Sequence, residues 1–108
     1  MLIVIYNKSR KKRLKTTKRI LSSILYPVYD RLHIGNIPSR TIIDLIKKLK
    51  KHSGVGTNIK IFIESKEGYQ GFKLISLGKK ESKLEIFELS KSNIEEKLIK
   101  EKIIKKPY

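Results

Sequence analysis

The chain has 108 residues, with 26 Lys and Arg against 10 Asp and Glu and a formal net charge of +16 at neutral pH. It contains no cysteine, which excludes disulfide stapling and thiolate metal centres. No apolar run approaches the roughly 18 residues of a membrane span, so a cytoplasmic, membrane-free protein of one domain is expected.

In chain order, Leu2-Ile3-Val4-Ile5-Tyr6 reads as a buried strand, too short and without the preceding basic region of a signal peptide. Ser9 then suits the N-cap of a helix from about Arg10 to Leu25, with Leu14, Thr17, Leu21, Ile24 and Leu25 at helical spacing and Pro27 as the stop. Val28 to Ile34 reads as one strand, Val28, Leu32 and Ile34 on one face and Tyr29, Arg31 and His33 on the other, with Gly35-Asn36 as a turn.

Pro38-Ser39 opens a second helix, whose Ile42, Leu45, Ile46 and Leu49 form an i, i+3, i+4, i+7 stripe ended by Gly54. Ile59, Ile61 and Ile63 alternate with Lys60, Phe62 and Glu64 in a half-buried strand. Gly68 and Gly71 bracket a turn before a strand from Phe72 to Leu77, and a last strand covers Leu84 to Leu89. Ser92 with Glu95 makes a capping box for a terminal helix around Ile94, Leu98 and Ile103.

This order predicts an α+β fold: a ferredoxin-like split βαβ sandwich with a C-terminal strand, both main helices on one sheet face, and a short helical tail. Residues 1–90 are expected to form this domain and residues 91–108 a charged, helical tail. Tyr6, Tyr29, His33 and Phe62 are expected on the sheet's other face, as a dimer interface rather than a base-stacking platform.

The charge is uneven. Residues 1–52 carry 14 basic and 2 acidic residues, whereas residues 53–108 carry 12 and 8. General compositional bias would spread evenly, so the asymmetry points to a polyanionic partner. On the first helix Lys8, Lys12, Lys15 and Arg19 fall within an arc of about 60°. Lys8–Lys12, Lys11–Lys15 and Lys15–Arg19 are like-charge i, i+4 pairs, each costing about 0.2–0.5 kcal/mol. Arg10, Lys11, Lys12 and Arg13 crowd the helix N-terminus, where the macrodipole disfavours cations. A phosphate ligand reverses both penalties. Arg40, Lys47 and Lys51 repeat the pattern on the second helix, interrupted by Asp44.

No catalytic residue and no metal site is assigned. His33 and His52 are far apart and lack ligand spacing, and a strand histidine such as His33 is more often packed or interfacial. Asp30 stands alone, whereas a two-metal nuclease needs several convergent carboxylates. Glu64 and Glu67 read as solvated residues near a turn, and Ser22-Ser23 has no general base beside it in sequence.

Residues 1–89 resemble the CRISPR-associated protein 2 family, the small subunit of the spacer-acquisition complex. The likeness rests on Leu2-Ile3-Val4-Ile5-Tyr6-Asn7, the basic helix after it, Val28-Tyr29-Asp30-Arg31-Leu32-His33-Ile34-Gly35-Asn36-Ile37, Ile59-Lys60-Ile61-Phe62-Ile63 and Leu77-Gly78-Lys79. The resemblance implies a homodimer that holds duplex protospacer DNA between subunits of the integrase, CRISPR-associated protein 1. On that reading Arg10, Lys11, Lys12, Arg13, Lys15 and Arg19 contact the DNA backbone, joined by Lys47, Lys51, Lys79 and Lys80. Leu84, Ile86, Phe87 and Leu89 would dock the integrase subunit. Family members commonly have aspartate after the first-strand tyrosine, implicated in a divalent-metal nuclease activity; Asn7 here cannot supply that anionic oxygen. A scaffold without a cofactor is therefore expected; the alternative is a metal-dependent endoribonuclease or toxin-like nuclease on the same fold, with Mg2+ as its cofactor.

Overall fold

The computed structural model describes residues 2–7, 11–29, 31–52, 58–78 and 81–100. Its elements are β1 (Leu2–Asn7), α1 (Lys11–Ser22), β2 (Tyr26–Tyr29), β3 (Leu32–Asn36), α2 (Ser39–His52), β4 (Asn58–Ser65), β5 (Gly68–Gly78), β6 (Glu81–Ser90) and α3 (Ile94–Lys100). One six-stranded sheet has the order β2-β3-β1-β4-β5-β6, and every neighbouring pair is antiparallel. β1 and β2 run parallel with β3 inserted between them, and β3 and β4 run parallel with β1 between them. That is the split βαβ arrangement of a ferredoxin-like α+β fold. The β5–β6 pair extends the sheet beyond the fourth strand.

α1 and α2 share one sheet face because their apolar stripes meet the same strand residues. Leu21 and Leu25 join Ile42, Leu45 and Leu49 over Ile3, Ile5, Ile59, Ile61 and Leu74, all buried. The i, i+3, i+7 spacing of the α2 stripe puts those three side chains on one side of the helix. Thr17 is buried on α1 as well.

The opposite face is not an open platform. Val4, Leu32, Phe62 and Tyr69 lie beneath Ile94 and Leu98 of α3, so the start of the charged tail covers the sheet. Phe62 meets Tyr69 edge-on at 6.1 Å and Phe87 at 5.6 Å. His33, expected on this face, is on the other one, buried under α1. Strand alternation separates it from Leu32 and Ile34, which pack on the α3 side.

Two acids tie α3 down. The Ile94 N–H donates to Glu64 Oε1 at 2.8 Å, satisfying an amide that a helix start leaves without an intrahelical partner. Glu88 accepts the Tyr69 hydroxyl at 2.8 Å and pairs with Lys97 at 3.1 Å. Burial and, after it, the Glu88 hydrogen bond push the Tyr69 phenol above its ordinary range. Glu64 is thus a tertiary cap, not a solvated turn residue.

Several boundaries differ from the sequence reading. Val28 to Ile34 is not one strand: Arg31 lies in a turn, and β2 and β3 form a hairpin. Pro27 sits inside β2, where an edge strand tolerates the missing N–H. α1 ends earlier than expected, at Ser22, and Leu25 N closes on Leu21 O at 2.7 Å. Gly35 and Asn36 belong to β3. The α3 cap is Asn93 rather than Ser92, since Asn93 Oδ1 accepts the Glu96 N–H at 2.9 Å. Ile103 and Gly54 lie outside the described residues.

β5 begins at Gly68, not Phe72. Gly68 has φ +133°, and a Cβ added there would lie 2.2 Å from the Ser90 carbonyl oxygen. Gly68→Ala is therefore expected to destabilise the fold by about 1–3 kcal/mol, read as a lowered thermal midpoint. An unchanged midpoint would show that this β-turn relaxes freely.

Candidate nucleic-acid interface

Helix geometry sorts the cations outward. On α1, Thr17 and Leu21 are buried while Lys15, Lys18 and Arg19 are exposed. On α2, Ile42, Leu45 and Leu49 are buried and Arg40, Lys47, Lys48, Lys50 and Lys51 are exposed, with Asp44 the one exposed carboxylate of that helix. Because α1 packs beside α2 on the same sheet face, the two sets of cations line adjacent helices. The first turn of α1 contains no acid, so nothing there offsets the positive end of the helix dipole.

The structure brings four of the ten predicted contacts together with described side chains: Lys15, Arg19, Lys47 and Lys51. For Lys11, Lys12 and Arg13 the backbone is helical and the side chains are undescribed. Arg10, Lys79 and Lys80 lie outside the described residues, as do Lys8 and the expected cap Ser9. Lys18, Lys48 and Lys50 are exposed on the same two helices and were passed over. Counting every Lys and Arg off the buried stripe, rather than those at one helical angle, would have found them.

The predicted docking set divides between two faces. Leu84 pairs with Leu74 and Ile86 with Phe72, which puts both on the α1–α2 side, where Leu84 is half-buried and Ile86 is 63% exposed. Leu89 shares that side and is 78% exposed. The register shift between Gly71 and Phe72 turns Phe87 to the α3 side. There its ring packs on Phe62 and against Gly71, and Lys60 Nζ stands 5.6 Å from its centroid. At the opposite edge, Tyr26 is 75% exposed. It pairs with Ile34 beside a cleft of about 410 Å³ floored by Leu2, Val4 and Ile34.

Among the described residues no group of three or more His, Cys, Asp or Glu is placed to hold a metal ion. Asp30 is outside them, and only the backbone of Asn7 is described. No helix among the described residues is long and apolar enough to cross a membrane. What the arrangement can do chemically is bind: mobile ammonium and guanidinium groups on two neighbouring helices neutralise closely spaced anions. The chain matches no protein-family model, and no curated protein matches it.

Proposed function

We propose that this chain is a non-catalytic scaffold that holds duplex DNA by its phosphates. In line with its resemblance to CRISPR-associated protein 2, it would act as a homodimer, presenting protospacer DNA to integrase subunits during spacer acquisition. The single observation behind this reading is the pair of adjacent helices, α1 and α2, whose exposed faces carry Lys15, Lys18, Arg19, Arg40, Lys47, Lys48, Lys50 and Lys51 against one carboxylate, Asp44. Such clustering is costly for the free protein and favourable once counterions leave a bound duplex. The apolar side chains at the sheet edges suit protein partners: Ile86 and Leu89 on β6 for the integrase subunit, and Tyr26 with the neighbouring cleft for a second copy.

Phosphate contacts position a duplex without reading its sequence. Duplexes of unrelated sequence should therefore bind alike. The logarithm of the association constant should fall linearly with the logarithm of salt, by about 0.9 per phosphate contact. Fluorescence anisotropy on labelled duplexes across a salt series measures this. Absence of binding at low ionic strength, or a clear preference for single-stranded or structured RNA, would sink the proposal.

A further inference from the structure

His33 is a buried titratable group that the proposed nucleic-acid binding leaves without a role. It is 1% exposed and sits in β3 between Ile5 of β1 and Pro27 of β2. Above it lies the last turn of α1, where Ser22 Oγ is 3.0 Å from Nε2. Nδ1 is buried and has no hydrogen-bond partner.

That environment accepts a neutral ring and rejects a charged one. The Ser22 hydroxyl can donate or accept, so it satisfies Nε2 in either neutral tautomer. An imidazolium has two N–H donors, and the one on Nδ1 would be buried without an acceptor. The flanking strand residues Ile5 and Pro27 carry no charge, and the charged group acting on the ring from α1 is a cation, Lys18. Nothing in this set compensates a positive ring.

We propose that His33 is a pH-sensitive latch: as the neutral imidazole it seats the C-terminal end of α1 on the sheet, and protonation releases that end. Burial first, and then Lys18, hold the ring below its ordinary value of 6.5. A ring freed by lifting α1 titrates near that ordinary value. The latch is therefore fully present above pH 6.5 and is lost as pH falls through the lower value of the seated ring. Between pH 7.5 and 5.5 the population with α1 lifted should grow by up to about tenfold, the factor by which a free group of pKa 6.5 takes up protons over that interval and the limit reached when the seated ring stays neutral throughout.

One consequence rests on the proposed DNA binding and has an unusual sign. Acidification ordinarily strengthens polyanion binding, because a protein gains positive charge as pH falls. Release of α1 would instead weaken it, since Lys15 and Arg19 leave their places beside α2.

The test is hydrogen exchange by NMR on the full chain without DNA, at pH 7.5 and 5.5, corrected for the intrinsic rate. Amides at 17–22 in α1 are compared with those at 45–50 in α2, and the His33 ring is titrated in the same samples. The expected result is a rise of up to about tenfold in opening for α1 over α2, with the His33 ring titrating below 6.5. His33→Gln should flatten the α1 response, and Ser22→Ala, which leaves the ring in place, should raise α1 opening at both pH values. Equal pH responses in α1 and α2, or a His33 ring titrating at or above 6.5, would overturn the latch even if His33→Gln fails to fold. A duplex titration at both pH values separates the two proposals. Lack of DNA binding strikes the scaffold reading alone, and pH-independent exchange strikes the latch alone.

Discussion

Replacing Lys15, Arg19, Lys47 and Lys51 together by Gln is expected to weaken duplex binding at 0.1 M salt by roughly three to four orders of magnitude, because each phosphate contact contributes about 0.9 to the log–log slope. The slope itself should fall by about 3.6 if all four side chains reach phosphates. All four are exposed, so the fold should survive. Stability is expected to change little: Lys15–Arg19 and Lys47–Lys51 are like-charge i, i+4 pairs whose repulsion, about 0.2–0.5 kcal/mol each, disappears. Arg19 and Lys51, in the last turns of α1 and α2, give back a comparable amount through the helix dipoles. Affinity and thermal midpoint thus separate, and a general loss of structure would move both down together. If the quadruple variant keeps the parental slope, α1 and α2 are not the footprint.

Phe62→Ala is expected to cost about 3–5 kcal/mol, a large part of the 5–15 kcal/mol that holds a domain of this size together. Phe62 is fully buried and contacts rings on both sides, Tyr69 and Phe87. Truncation leaves a cavity that β-sheet backbone cannot close, directly beneath Ile94 and Leu98. The thermal midpoint should drop by on the order of 15–30 °C, and α3 amides should lose protection first. Leu89→Ala is the natural contrast. That side chain is 78% exposed, so its loss should stay within about 0.5 kcal/mol. A mild Phe62→Ala would mean that α3 is not a structural part of the sheet's second face.

The α2 stripe shows where local pattern was sufficient. Ile42, Leu45, Ile46 and Leu49 lie at helical spacing, and all four are buried or half-buried. The alternation of Ile59 and Ile61 with Lys60 likewise gave a strand and its inward face. The stretch from Val28 to Ile34 shows where it was not. Its apolar residues fit one strand as well as two, and nothing local distinguishes a turn at Arg31 from a continuous edge. The hairpin is selected because β2 must reach the outer side of β3, a constraint that belongs to the whole sheet.

Glu64 and Phe62 make the same point for side chains. Each alternates correctly on β4, yet both meet α3, which Glu64 reaches 30 residues further along the chain at Ile94. A sequence pattern specifies which side of an element a residue faces. It carries no information about which distant element will arrive there, because that depends on summed burial across the domain.

The same division holds for the candidate interface. Net charge of +16, its concentration in residues 1–52 and its placement off the apolar stripes are properties of the sequence. The proposed polyanionic partner rests on them, since charge and helical period need no tertiary information. That α1 and α2 lie side by side, that α3 closes the sheet's second face, and that His33 is sealed under Ser22 were decided only by folding. Each depends on contacts between segments remote in sequence, whose energies favour one global packing rather than any local preference.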